Sequence, residues 1–462
     1  MTLKSLNTRN VKLIRKMAAI GVGLLVIVSL LGMTHWSAEA TGFNRRPAEA
    51  DNSIPSLQGT APITYLKEHK LNDSLTAALN AARTQKGDNS VLAPLFVNEQ
   101  QLTASDGSSS DFFGRSVAFS GSTIVVGAPH DNIGGNLEQG SAYVFNRQGA
   151  GWVEAQKLTA SDGAAFDFFG WSVAISGSTI VVGAWDDDIS SNPDQGAAYI
   201  FNRQGGKWVE TQKLTASDGA ADSHFGWSVA LSGSTVVVGA PGDNVFQGAA
   251  YVFNRQGGSW LEAQKLTARD GSSHDDFGES VAFSGSTMVI GAIGDNDLQG
   301  AAYVFNCQGG NWVEVQKLTA SDGAAVDVFG WSVAISGPTI VIGAMEDKVF
   351  QGAAYVFNRQ GGSWVEVQKL TASDGRRGQE FGFSVAFSGS TIVIGAAGDN
   401  DLQGAAYIFN RQGGNWFEAQ KLTTSDRGFD FGSSVAVSGS TIVVGAEAGG
   451  NIVQGAAYIF EP

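Results

Sequence analysis

The chain has 462 residues, and its 44 Asp and Glu against 29 Lys and Arg give a formal net charge of −15. Binding to nucleic acid requires clustered Lys and Arg that displace counterions, so this acidic composition argues against a nucleic-acid partner. The single cysteine, Cys307, excludes an intramolecular disulfide, and the fold must therefore be held by a hydrophobic core.

The first forty residues have the pattern of an export signal. Five basic residues precede an uncharged apolar stretch, Met17–Met33, and Ala38-Glu39-Ala40 offers a small-residue cleavage site. We expect cleavage before Thr41; losing those five basic residues and Glu39 leaves 24 basic and 43 acidic residues, a net charge of −19. An uncleaved anchor is the alternative, because the apolar stretch is at the lower limit of a bilayer span. The predicted location is secreted, periplasmic or cell-surface, with no membrane span after cleavage.

Residues 41–93 are predicted to be a polar linker that contains one short helix. Leu71, Leu75 and Leu79 recur at helical spacing, and Gly87 marks the end of the pattern. A helix this short is marginal in isolation, so we expect it to dock on another part of the chain.

Residues 94–462 repeat one unit seven times. Each unit contains four strand-like runs, such as SVAIS, TIVVGA, GAAYIF and WVEAQKL, with hairpin turns after the first and third runs. Repeats of about 50 residues without helical periodicity are typical of propeller blades, with an open solenoid as the alternative. A Phe-Gly pair marks each unit, at Phe113, Phe169, Phe225, Phe277, Phe329, Phe381 and Phe431. The Ser-Val-Ala runs, including Val281, are predicted to be buried central strands.

The two ends of the repeat region predict a closed ring. The seventh unit stops after its third run, at Phe460-Glu461-Pro462. The missing fourth run is available upstream, because Phe96 to Leu102 matches WVEAQKL with Phe96 in the place of Trp. Closure would remove the edge that an open array leaves exposed. The predicted fold is therefore all-β: a seven-bladed β-propeller closed by an N-terminal strand, preceded by a signal peptide and a short helical arm.

The unit resembles the FG-GAP repeat, the blade of integrin α-subunit propellers and of many bacterial exported proteins. The resemblance covers residues 95–462 and rests on Phe-Gly in all seven units and on Gly-Ala after the second strand in all seven, as in Gly127-Ala128. It implies an extracellular binding or adhesion module. Integrin-type blades often carry a calcium loop between the first two strands. Here that turn is Ser-Gly-Ser-Thr or Ser-Gly-Pro-Thr, which has no carboxylate, so the resemblance does not bring that calcium site with it.

Strands alternate in direction within a blade, so the four connections divide between two faces. The links between blades and those between strands two and three share one face, here called the acidic face. It receives an Asp before Gly, or before Arg in the last unit, in each unit, which we interpret as turn chemistry: Asp106, Asp162, Asp218, Asp270, Asp322, Asp374 and Asp426. The other face, here called the hairpin face, receives the two hairpin turns and the arginines Arg147, Arg203, Arg255, Arg359 and Arg411.

The loops after Gly-Ala on the acidic face are the predicted ligand site, because they vary most between blades. The candidate ligand-binding residues are Asp131, Trp185, Asp186, Asp187, Asp188, Asp243, Asp295, Asp297, Asp347, Asp399 and Asp401. Trp185 beside three Asp would suit a sugar or a cation. The two Asp-Asn-Asp segments supply the metal candidates, Asp295, Asp297, Asp399 and Asp401, and calcium is the one cofactor considered. A solvated turn is the alternative. His130, His224 and His274 lie in loops of the same face and raise the further alternative of a transition metal.

The sequence contains no Gly-x-Ser-x-Gly elbow, His-Glu-x-x-His pair or phosphate loop, so we expect no enzyme. The predicted function is binding or adhesion to an extracellular protein or glycan, by a monomer. The alternatives are a hydrolase or lyase that acts on extracellular glycans and a purely structural surface protein. Non-repeating polar residues converging on a central cleft would favour the enzyme.

Overall fold

The structure is a computed structural model, and it describes residues 96, 98–424, 429–448 and 454–462. The predicted signal peptide, linker and helical arm lie outside the described residues. Within those residues the strands form seven four-stranded antiparallel sheets, one for each predicted blade. The all-β, seven-bladed propeller predicted from the repeat is therefore present.

Each complete blade is an up-and-down meander. The first consists of β2 (Val117–Ser120), β3 (Thr123–Ala128), β4 (Ser141–Gln148) and β5 (Gly151–Leu158). The next five repeat this order: β6 (Ser172–Ser176), β7 (Thr179–Ala184), β8 (Ala197–Gln204), β9 (Lys207–Leu214); β10 (Ser228–Ser232), β11 (Thr235–Ala240), β12 (Ala249–Gln256), β13 (Ser259–Leu266); β14 (Phe277–Ser284), β15 (Thr287–Ala292), β16 (Ala301–Gln308), β17 (Asn311–Leu318); β18 (Ser332–Ser336), β19 (Thr339–Ala344), β20 (Ala353–Gln360), β21 (Ser363–Leu370); β22 (Phe381–Ser388), β23 (Thr391–Ala396), β24 (Ala405–Gln412), β25 (Asn415–Leu422).

Four one-turn helices follow the second strands of blades three to six: α1 (Asp243–Phe246), α2 (Asp295–Leu298), α3 (Asp347–Phe350) and α4 (Asp399–Leu402). Their inner residues have left-handed backbone angles, with φ of 50° at Asn244 and 60° at Val245. Left-handed angles are unusual for a β-branched residue, and the sequence pattern predicted only a loop at these positions.

The last blade combines the two ends of the repeat region. It contains β26 (Phe431–Ser438), β27 (Thr441–Ala446) and β28 (Ala456–Glu461), with β1 (Asn98–Leu102) as its outer strand. β1 runs antiparallel to β28 and places Gln101 opposite Tyr458. The backbone N–H of Phe96 donates to Gln420 Oε1 at 3.0 Å, and Gln420 Nε2 donates to the carbonyl oxygen of Phe96 at 2.9 Å.

The Phe-Gly pair is explained by contacts between neighbouring blades. Phe113 is fully buried, with its ring centroid 5.4 Å from that of Tyr143. Gly114 has a φ of 101°, and a Cβ there would clash with the carbonyl oxygen of Ala456. The Gly114 carbonyl oxygen accepts a hydrogen bond from Ser434 Oγ at 2.7 Å, which joins the last blade to the first. The same Ser-to-Gly hydrogen bond joins each of the six remaining pairs of neighbouring blades.

The core lies between the blades, and the inner strands are less buried than the sequence predicted. The second and third strands are almost fully buried, as the burial of Val125 and Val144 illustrates. Among the valines of the Ser-Val-Ala runs, however, only Val173 is buried, and Val281 is half-buried. The expectation of a buried Val281 is therefore wrong, because inner strands line the axial space of a propeller and have a neighbour on one side only.

No helix in the described parts of the chain is both long enough and apolar enough to cross a membrane.

Candidate functional site

The predicted Asp residues of the acidic face are held in a cluster with Lys and Tyr. In the first blade, Lys157 Nζ lies 2.7 Å from Asp106 and 2.7 Å from Asp131. The hydroxyl of Tyr143 donates to Asp106 at 2.7 Å and to Asp131 at 2.9 Å. Burial raises the pKa of Asp106, but the hydrogen bonds from Lys157 and Tyr143 outweigh it and hold that pKa below its usual value. Asp131 is only 6% exposed.

The same ion pairs recur in blades two to six. The Lys of each outer strand contacts one Asp of the between-blade link and one Asp of the loop after Gly-Ala. The lysines are Lys213, Lys265, Lys317, Lys369 and Lys421, and the Asp residues after Gly-Ala are Asp187, Asp243, Asp295, Asp347 and Asp399. Six of the candidate ligand residues are thus buried and already paired with a cation of the chain itself.

The remaining Asp candidates lie apart from one another. Asp188, Asp297 and Asp401 are exposed, and Asp188 accepts a hydrogen bond from the backbone of Asp194 at 3.0 Å. Within the described parts of the chain, no three or more His, Cys, Asp and Glu residues are grouped so that they could hold a metal. Asp295 and Asp297 are separated by Asn296; Asp295 is buried and paired with Lys317, whereas Asp297 is exposed.

The residue after each Phe-Gly lies near the start of an inner strand, at the acidic-face end of that strand. The inner strands surround the axis of the propeller. This ring, here called the mouth, carries five residue types at seven positions, with Trp at three of them: Arg115, Trp171, Trp227, Glu279, Trp331, Phe383 and Ser433. The surrounding Phe-Gly and Ser-Val-Ala runs are nearly identical in all blades. At the mouth, therefore, the sevenfold repeat is broken, and equivalent positions of the blades carry different side chains.

One side of the mouth is aromatic. The Arg115 guanidinium lies 4.1 Å from the ring centroid of Trp171, which lies 4.9 Å from that of Trp227. Trp185 contacts both tryptophans, with centroid distances of 5.5 and 5.2 Å, and stacks on Phe168 at 5.4 Å. The indole Nε1 of Trp185 is buried and has no hydrogen-bond partner. The predicted candidate Trp185 thus belongs to a packed aromatic cluster with one free donor.

Histidines extend the aromatic cluster to neighbouring blades. His224 lies 4.8 Å from Trp185 between ring centroids, and His130 lies 5.0 Å from Phe168. Burial lowers the pKa of His224, although the nearby Asp194 and Asp222 carboxylates act in the opposite direction. His274 stacks on Phe246 at 5.9 Å. These histidines pack against aromatic rings and do not form a transition-metal site in the part of the chain that the structure describes.

The other side of the mouth combines carboxyl groups with an aromatic pair, Trp331 and Phe383, whose ring centroids lie 5.7 Å apart. Burial raises the pKa values of these carboxyl groups. Burial raises the pKa of Glu279 to about 7, although a hydrogen bond from Trp227 acts in the opposite direction. Burial also raises the pKa of Asp276 to about 6, and burial together with the charge of Glu447 raises that of Asp430 to about 6. Burial and the charges of neighbouring carboxylates raise the pKa of Glu380.

Two contacts connect this acidic side to the aromatic side. Arg115 pairs with Glu447 at 3.5 Å and so links blades one and seven. Asp186, which follows Trp185, has a pKa raised to about 7 by burial and by the nearby Asp194 carboxylate. The candidate Asp186 is therefore half-buried at the edge of the aromatic cluster, where it changes charge near neutral pH.

Sequence reasoning missed the mouth because it searched for variable loops and not for variable residues inside a repeated strand. The signal was present: in F-G-x-S-V the position x changes among Arg, Trp, Glu, Phe and Ser while its neighbours stay constant. It also missed the lysine of W-V-E-x-Q-K-L, which recurs in six units at the same distance from the aromatic residue and pairs with the two Asp series.

Comparison with known proteins identifies a family and a curated relative of this chain. The model of the FG-GAP repeat matches residues 96–145, 152–201, 208–253, 260–305, 312–357, 364–409 and 416–460, one match for each blade. Integrin alpha-2 from Mus musculus is 28% identical over 216 residues, which cover 41% of this chain. The matched part is 18% of the length of that integrin.

Proposed function

Because the chain belongs to the FG-GAP repeat family, with one repeat in each of its seven blades, we propose that it is an exported binding or adhesion module whose ligand contacts the acidic face at the mouth. The likeness to integrin alpha-2 supports a ligand-binding role, since that protein is an integrin. Export is supported by the basic and apolar pattern of residues 1–40. The partner that we propose is an extracellular protein or a glycan.

The single observation that carries the proposal is the asymmetry of the mouth. Repeated positions of the blades serve the fold: Phe-Gly joins the blades, and the Lys–Asp–Tyr clusters fix the loops. If the mouth served only the fold, its seven positions, from Arg115 to Ser433, would be as uniform as the Phe-Gly and Ser-Val-Ala positions beside them. Its combination of aromatic rings in four blades with the single cation Arg115 and the single carboxyl group Glu279, on a rigid scaffold, is the arrangement expected of a recognition site.

The chemistry of the mouth suits a ligand with both apolar and hydrogen-bonding groups. Aromatic rings such as Trp185 and Trp331 offer apolar faces to a sugar ring or to an apolar side chain. The carboxyl groups of Glu279 and Asp276 can form hydrogen bonds with hydroxyl, amide or amino groups. Sugars and peptide side chains combine these groups.

A binding screen of the full chain against extracellular glycans and proteins tests the proposal. For any ligand found, Trp185→Ala and Trp331→Ala should weaken binding by about 30-fold, the effect of removing a central aromatic contact of about 2 kcal/mol. Phe417→Ala is the matched control, because Phe417 is an aromatic residue exposed on the outer strand β25. Loss of binding in Phe417→Ala but not in the two Trp variants would place the ligand elsewhere.

A glycan-acting enzyme is the second proposal, and Glu279 is the observation that favours it. Glu279 is a carboxylic acid beside Trp227, and its pKa of about 7 is the property required of a general acid; the carboxylate of Asp276 acts on it. Incubating the full chain with polysaccharides and measuring reducing ends tests this activity. Activity that is retained in Glu279→Gln, or no activity on any polysaccharide, would contradict it.

A further inference from the structure

The hairpin face carries positive charge on a chain that is otherwise strongly acidic. Its turns present five exposed arginines and Lys207, and Glu461 is the one carboxylate at these turns in the described residues. Arg147 pairs with Glu461 at 2.5 Å, and it is the one arginine of the series that forms an ion pair in the described chain. Arg203, Arg255, Arg359 and Arg411 extend toward solvent at equivalent places in four blades.

Exposed apolar side chains accompany these arginines on the outer strands. Each of these apolar residues directly follows the buried Trp of its outer strand. That Trp is paired with the Arg of the third strand, or with Cys307 in the fourth blade. They are between 39% and 50% exposed: Val153, Val209, Leu261, Val313, Val365 and Phe417. The circumference next to the hairpin face is therefore a rim of alternating cationic and apolar groups. Surfaces that lie in a membrane interface combine these two kinds of side chain.

The chain also enters the propeller at this face. β1 pairs Asn98 with Glu461 and ends at Leu102, which leads into the first between-blade link on the acidic face. Phe96 therefore lies at the hairpin-face end of the last blade.

We propose that the hairpin face docks on an anionic lipid bilayer, with Arg203, Arg255, Arg359 and Arg411 bound to lipid phosphates. Guanidinium groups bind phosphate through paired N–H donors, and each cation near an anionic surface adds about 1 kcal/mol, or about fivefold, to partitioning. This orientation turns the acidic face away from the bilayer, where like charges would repel it. The docking does not depend on the ligand of the mouth, so either proposal can fail without the other.

The test compares binding of the full chain to neutral phosphatidylcholine vesicles and to vesicles with about one-third phosphatidylglycerol. The N-terminal segment is itself basic and contributes to this preference, so docking of the hairpin face is measured by the change that the Arg substitutions make in the ratio of the two partition coefficients. We expect a clear preference for anionic vesicles that disappears at high salt, since exposed charges are screened. Arg203→Gln with Arg255→Gln should reduce the preference by about 25-fold, and Arg203→Lys with Arg255→Lys should retain most of it.

The matched control removes two positive charges from exposed positions of the acidic face, by Lys348→Gln with Arg377→Gln, and should keep the preference. Arg255→Gln with Arg359→Gln repeats the test on other blades, and the melting temperature of every variant confirms folding. Equal binding to both vesicles, or an equal loss in the control, would overturn the proposal. A salt-sensitive oligomer that disappears in Arg203→Gln with Arg255→Gln, without vesicle preference, would assign the hairpin face to a second copy of the chain and would overturn it as well.

Discussion

At the scale of single residues, the acidic face owes its order to lysines. Each Lys of blades one to six forms ion pairs with two carboxylates that would otherwise repel each other at the joint between blades. A buried ion pair is strongly destabilised when one partner is removed, because the other is left as an uncompensated charge. These clusters therefore explain how a chain with a net charge of −15 keeps an ordered ring of Asp residues.

Lys369→Met tests this role. Asp347 is 2% exposed and lies 2.6 Å from Lys369 Nζ, so the substitution leaves a buried carboxylate without its cation. We expect the free energy of unfolding to fall by about 2–4 kcal/mol in urea denaturation. Lys207→Met, at an exposed hairpin position, is the control and should change it by less than about 0.5 kcal/mol. Equal effects of the two substitutions would contradict the role of the clusters.

Glu279 predicts a pH dependence of stability. Its ordinary pKa of 4.5 is raised to about 7 in the folded protein, so between these values the folded state holds a proton that the unfolded state releases. Stability should therefore fall as the pH rises from about 4.5 to about 7 and remain lower above that window. Arg115 and Asp276 are the charged groups that act on this carboxyl.

In Glu279→Gln the side chain stays neutral at every pH. We expect its melting temperature to exceed that of the unsubstituted protein at pH 8 and to match it at pH 5, with the exposed Asp297→Asn as the control. Part of the fall should persist, because burial also raises the pKa of Asp186 and Asp430. A melting temperature at pH 8 that Glu279→Gln leaves unchanged or lowers would show that the carboxyl is not desolvated in the folded protein.

At the scale of elements, the sequence predicted the strands and hairpins well, because each has a local cause. Period-two runs end at turns such as Ser-Gly-Ser-Thr, and Phe96–Leu102 matches the strand that the last unit lacks. The exposure of Val281 and the left-handed turns of α1 to α4 were not predictable in this way. Both depend on how seven blades meet around an axis, which no single repeat contains.

The pairing of β1 with β28 predicts that closure is essential to the propeller. Deleting residues 95–103 removes β1, the Phe96–Gln420 bonds and the cover of Tyr458. We expect the deletion protein to aggregate or to melt well below the full chain in calorimetry, because the exposed edge of β28 can pair with other chains. Deleting nine residues from the linker, 50–58, is the control and should leave the melting temperature unchanged. Equal melting of the two deletion proteins would contradict a structural role for β1.

At the scale of the whole molecule, the two faces differ in charge and in symmetry. The hairpin face repeats nearly the same turn in each blade, whereas the mouth of the acidic face is asymmetric. The sequence located the acidic face but not its centre. The predicted Asp residues, such as Asp243 and Asp399, form a repeated pattern in the sequence. Their pairing with Lys depends on the folded blade, which brings the loop and the outer strand together.

The position of the ligand on the propeller can be measured by hydrogen–deuterium exchange of the full chain, with and without a ligand from the binding screen. We predict slower exchange at the Phe-Gly segments that carry Trp171, Trp227 and Glu279, and in the loop that begins at Trp185. The Asn-Arg-Gln-Gly turns of the hairpin face should exchange at the same rate with and without the ligand. Protection of those turns, with no change at the mouth, would contradict the account.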